Sequence, residues 1–184
     1  MFFDHWRKAR ALQRKADNYV GVLLREPAAE DVAWLATTAT KGDEDHARWE
    51  LRYARRAAGL LVAQRDALDD RTASLVAEAL TSGFEADERI DRARFGLVEQ
   101  QFNARISAYR DALGARGADA TPRLGQTLLA FSGGSFRDVN DKVRRAGDIV
   151  GAYAAEANDA LRSVFGIAAL PEHIPPSAVA GSSN

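Results

Sequence analysis

Few side chains in this sequence are able to carry out chemistry. There is no cysteine, so disulfides, thiol catalysis and thiolate metal sites are excluded. Histidine occurs only at His5, His46 and His173. Asp43 and His46 have the i,i+3 spacing that puts a carboxylate and an imidazole on one helix face, and Glu50 follows one turn later. Carboxylate-bridged metal centres in helical bundles need such a pair on two helices, plus glutamates facing inward from others. Only one copy is present, so Asp43, His46 and Glu50 are the metal-site candidates. The competing reading makes Asp43 a helix N-cap and leaves His46 near an exposed helix end. No cofactor is expected.

Asp66, Asp69 and Asp70 form a second oxygen-rich group of a kind that hard cations favour. They fall off the apolar row of their helix, with Arg65 and Arg71 beside them, and are expected to be a solvated charged face. Ser132-Gly133-Gly134-Ser135 precedes a helix, but no strand comes before it and no lysine follows in place, so it is not a phosphate loop. No Ser-His-Asp set can be assembled.

Three features could contact partners. Arg48, Arg52, Arg55 and Arg56 form a basic stripe, partly offset by Glu44 and Glu50, suited to carboxylate or phosphate or to ion pairs between helices. Gly147-x-x-x-Gly151-x-x-x-Ala155 is a small-residue face that admits a close helix crossing, inside the bundle or across a homodimer. The first helix carries Phe2, Phe3, Trp6, Tyr19 and Leu23 on one side and Arg7, Lys8, Arg10, Arg14 and Lys15 on the other. It is expected to dock on the bundle with its basic face in water; the alternative is contact with an anionic membrane surface or a partner.

These residues must be positioned by helices. Apolar residues recur every three or four positions, and no stretch alternates with the period of a strand. The spacing predicts helices over 3–24, 27–38, 44–82, 85–113, a short one from Thr121-Pro122 to Phe131, and 136–165 capped by Ser135. Gly83-Phe84 is read as a stop that turns the long helix into a hairpin. Gln64 and Thr72 interrupt the apolar row of that long helix, as register-setting polar residues, edge positions or the lining of a small cavity. Amphipathic helices must bury their stripes on one another. The expected fold is all-α: an antiparallel up-and-down bundle of about four main helices plus two short ones over 1–170, and a proline-rich disordered tail over 171–184.

The 184 residues can bury one core, and with 25 basic and 26 acidic residues the net charge is −1, unlike a dedicated nucleic-acid binder. Arginine far outnumbers lysine, which fits a bacterial, GC-rich genome. No apolar run of about 18 residues and no signal-like segment occurs, so a cytoplasmic setting is expected. The resulting expectation is a non-enzymatic protein that binds another protein or itself. A metal-binding bundle enzyme or metal store, and a peripheral membrane protein using the first helix, are the alternatives.

Overall fold

The structure is a computed structural model, and it describes residues 2–67, 69–114, 120–134 and 140–166, with side chains from Trp6 onward. The described residues form an all-helical bundle: α1 (Phe2–Leu23), α2 (Ala29–Thr38), α3 (Glu44–Asp66), α4 (Asp70–Glu85), α5 (Phe95–Gly114), α6 (Ala120–Phe131) and α7 (Asp141–Phe165). A single 3₁₀ turn at Arg92–Arg94 leads into α5. The expected tail at 171–184, the proposed Ser135 cap and residues 136–139 lie outside the described residues.

α3 is the axis. It is buried almost all round from Ala47 to Ala63 and touches every other helix. Three arginines and a glutamate lie among those buried residues or at their edge, so α3 is central without being apolar throughout. Tyr19, Leu23, Leu35, Leu51, Tyr109, Leu128, Leu129 and Val143 fill the core around it. The Tyr19 hydroxyl donates to the Gly59 carbonyl at 2.7 Å, and Leu23 lies against Gly59 where a side chain would otherwise stand.

One expected element divides in two. The long helix over 44–82 breaks at Ala67, and α4 is capped by Asp69, whose carboxylate accepts from the Thr72 N–H at 2.6 Å. An N-cap aspartate satisfies a helix-start donor that a continuous helix would not offer, and here it wins over continuation. α4 then runs back along α3: the Arg56 guanidinium lies over the Phe84 ring, and Leu60 shares a crevice with Leu80. Gln64 and Thr72 therefore flank the break, with Gln64 at the surface and Thr72 buried in the cap. The acidic group at 66–70 is this turn: Asp66 pairs with Arg65, Asp69 caps, and Asp70 lies in the first turn of α4.

Gly83-Phe84 is not the hairpin. Gly83 stays helical, and a Cβ there would stand 2.8 Å from the Leu24 side chain, so its small size admits α1. Phe84 is buried, the helix ends at Glu85, and residues 86–91 link to the 3₁₀ turn. The start of α7 also differs: Asn140 caps it, its side-chain oxygen accepting from the Lys142 and Val143 N–H groups.

Candidate binding cleft and the arginine network beneath it

The basic stripe of α3 turns mostly inward. Arg48 remains half-exposed near Glu44 at 3.8 Å. Arg52 grips Glu26 through both Nε and Nη2 (3.2 and 2.7 Å) and stacks on Trp49, 4.6 Å from its ring centre. Arg55 pairs with Glu156 at 3.1 Å, donates to the Arg25 and Glu26 carbonyls, and covers the Tyr153 ring. Arg56, only 1% exposed, reaches Asp87 at 3.4 Å and lies over Phe84. Arg89 closes the network from the opposite side, bonding both Glu26 and Asp87.

Three guanidinium groups (Arg52, Arg56 and Arg89) thus share two carboxylates. The network staples the α1–α2 link and the α4–α5 link onto α3. It leaves Arg56 Nε and Nη1 buried without a hydrogen-bond partner. The aromatic face of Phe84 partly compensates the charge there. Burial pulls the Arg56 guanidinium below its ordinary value, and the Asp87 charge opposes that pull.

Asp87 carries the pH dependence of the network. Burial alone would raise its carboxyl, but hydrogen bonds from the Arg89 side chain and backbone, with the Arg89 and Arg56 charges, lower it to about 2. A depressed carboxylate stabilises the fold fully above its unfolded value of 3.8, and that contribution is lost as pH falls from there through about 2. Glu26 is lowered in the same sense, burial being outweighed by its bonds to Arg52 and Arg89. Thermal melts between pH 6 and 2 should therefore show a falling acid limb. Asp87→Asn, less stable at neutral pH, should show a shallower one.

A cleft of ≈ 400 Å³ opens on the other side of Arg89, between α3, the 3₁₀ turn and α5. Its floor is the ion pair of Glu50 and Arg105, both buried, with Arg105 Nε 2.8 Å from Glu50 Oε2 and Nη2 on Oε1. Arg105 Nη1 donates to the Gln101 carbonyl at 2.9 Å, and its guanidinium packs between the Tyr53 and Phe131 rings. The Tyr53 hydroxyl donates to Gln101 Oε1 at 3.1 Å. Trp49, Ile90 and Val98 make the apolar wall, and Leu97 stands at the lip, 52% exposed. Arg89, Asp91 and Arg94 form the polar rim.

Of the metal-site candidates, His46 and Glu50 line this cleft and Asp43 does not. The Asp43 carboxylate accepts from the His46 N–H at 3.0 Å, as an N-cap. His46 Nε2 lies 3.5 Å from Glu50 Oε1. Both Glu50 oxygens are already engaged by Arg105, whose positive charge occupies the place a cation would take. No three His, Cys, Asp or Glu side chains converge among the described residues. The lining residues include no serine, threonine or lysine; the oxygen-bearing side chains beside His46 are Glu50, Tyr53, Asp91 and Gln101.

The small-residue face of α7 is divided. A Cβ on Gly147 would stand 2.1 Å from the Thr121 carbonyl oxygen, so α6 already uses that position. Gly151 has open space around it. In α1, Trp6, Arg7, Lys8, Arg10, Arg14 and Lys15 are all exposed, while the side chains of Phe2 and Phe3 lie outside the described residues.

Arg105 is the site residue that sequence reading missed. It lies three positions after Phe102 and four before Tyr109, on the inner face of α5. A lone arginine on an apolar stripe signals a buried acidic partner, since an unpaired buried charge is too costly to keep. No helix of the described residues is long and apolar enough to cross a membrane. No protein family matches the chain, nor does any curated protein or any solved structure.

Proposed function

We propose that this chain is a non-catalytic binding protein that seats a segment of another protein in the cleft between α3 and α5. The observation that carries this reading is Leu97. It is one of two large apolar side chains left mostly in water among the described residues, and it stands over a cleft whose floor is internally paired. Half-buried Trp49 and Val98 extend its apolar surface. Arg94, held only by Asp91 at 4.0 Å with both side chains in water, and exposed Arg92 leave positive charge on the rim. The fitting partner is a segment with an aliphatic or aromatic anchor flanked by carboxylates, because buried anchors supply most of the affinity and rim charges steer the approach. A cytoplasmic setting belongs to the same reading, as a cysteine-free chain fits a reducing compartment.

Selection from a displayed random-peptide library tests it. Enriched peptides should combine an apolar anchor with Asp or Glu, and Leu97→Asp should weaken their binding about tenfold or more. Enriched peptides that bind Leu97→Asp as tightly as the wild type would overturn the reading. Light scattering across a concentration series covers the other occupant: a dimer abolished by Leu97→Asp would make the partner a second copy of this chain.

A further inference from the structure

We propose that the first turns of α1, residues 6–15, dock the protein on an anionic lipid surface. Trp6, Arg7 and Lys8 are consecutive and all exposed. An α-helix turns about 100° per residue, so three exposed neighbours cover more than half of its circumference. A helix lying flat on a bundle could not show this; one that runs past its neighbours does. The fully buried side of α1 begins only at Ala16. Phe165, the last residue of α7, meets α1 at Lys15 and Tyr19, and Leu12 still packs against the core, so among the described residues it is the turn around Trp6 that stands clear.

The charges of this arm differ from those gathered around α3. Arg25, Arg52, Arg55, Arg56, Arg89 and Arg105 each pair with a carboxylate. Arg7, Lys8, Arg10, Arg14 and Lys15 have no acidic residue among them in the sequence and no ion pair with a described carboxylate. Arg10 stacks on Trp6, 5.0 Å from its ring centre, which leaves that charge unneutralised. The chain carries a net charge of −1, so the remainder of the molecule is acidic in balance. An anionic surface repels that body and attracts this arm, which sets an end-on orientation.

Lipid fits better than nucleic acid. The basic surface spans only about three turns, short of the extended footprint of a phosphate-tracking protein. Trp6 is 57% exposed beside the cations, the pairing that settles at the boundary between headgroups and acyl chains. Phe2 and Phe3 precede it in the sequence.

Co-sedimentation of the full chain with vesicles tests this. The probes are phosphatidylcholine alone and phosphatidylcholine with 30% phosphatidylserine. Binding should require phosphatidylserine and weaken with salt. Each basic residue near such a surface contributes about fivefold, so Lys8→Gln with Arg14→Gln should reduce partition by about 30-fold. Trp6→Ala should reduce it further. All three positions are exposed, so these variants keep the wild-type circular dichroism. Leu97→Asp should leave vesicle binding unchanged, which separates this test from that of the cleft. Equal recovery on both vesicles, an unaltered Lys8→Gln/Arg14→Gln variant, or displacement from vesicles by a short oligonucleotide would each overturn the proposal.

Discussion

Asp87→Ala is expected to destabilise the fold by about 3–5 kcal/mol, the usual cost of stranding a buried charge. The reason lies in Arg56. Its side chain is fully enclosed, and Asp87 is its only hydrogen-bonded carboxylate. Two of its nitrogens already lack partners, so nothing nearby can replace the lost acceptor. The same substitution frees Arg89, but Arg89 is half in water and keeps Glu26. Arg89→Ala should cost less, about 1–2 kcal/mol, because Arg89 is half in water while the buried Asp87 it leaves keeps Arg56. Equilibrium urea denaturation separates the two. Adding Arg56→Met to Asp87→Leu should restore much of the loss, because an apolar pair of similar volume removes the desolvation problem. An Asp87→Ala protein with a wild-type midpoint would show that Arg56 does not depend on this carboxylate.

The second large effect concerns backbone proximity. Gly125 of α6 and Gly147 of α7 let the two helices approach until side chains no longer fit between them. A Cβ on Gly125 would stand 1.9 Å from the Val143 carbonyl oxygen, and one on Gly147 would stand 2.1 Å from that of Thr121. Both obstacles are backbone atoms, which cannot rotate away. Gly125→Ala should force α6 off α7 at a cost of about 3 kcal/mol, the upper part of the overpacking range. That corresponds to roughly 6–12 °C in melting temperature for a domain of this size. Gly151→Ala is the internal control. It meets nothing within 4 Å, so it should gain about 0.5–1 kcal/mol from the lower backbone entropy of the unfolded chain. Differential scanning calorimetry should show the two alanines moving the melting point in opposite directions. If Gly125→Ala melts with the wild type, α6 and α7 are not packed as described.

These effects bear on the proposed binding role. The Arg52–Glu26–Arg89–Asp87–Arg56 network holds residues 86–91, which lead directly to the cleft rim at Asp91 and Arg94. Glu50 and Arg105 fix the cleft floor from α3 and α5. A rigid, internally satisfied floor lowers the ordering cost of binding and leaves the lip, Leu97, as the surface that gains most on contact.

Several elements were legible in the residues. The bounds of α1, α2 and α6 were close to those expected, because proline, capping and apolar spacing act within one or two turns. Gly166 ends α7 with φ of 92° and ψ of 177°, an extended positive-φ conformation open essentially to glycine alone. The break at Ala67–Asp69 was also written locally, as Asp69 three residues before Thr72, yet an unbroken apolar row outweighed it in the reading. Both descriptions satisfy the same periodicity. Only the fold-back of α4 onto α3, where Phe84 meets Arg56, selects between them.

The sequence by itself determined the helical class, most of the apolar rows that turn inward (Trp6 and Leu97 are exceptions), and the absence of thiol chemistry. These follow from composition and from a period of 3.6 residues, both of which are local. The tertiary structure alone decided that the arginine stripe is mostly interior, that Glu50 belongs to Arg105, and that Gly147 is taken by α6 while Gly151 stays open. Those outcomes depend on partners such as Glu26 and Arg89, 63 positions apart, or Glu50 and Arg105, 55 apart. Charge pairing and close backbone approach require two elements to meet in space, and no spacing along one helix encodes which of its faces a distant carboxylate will reach.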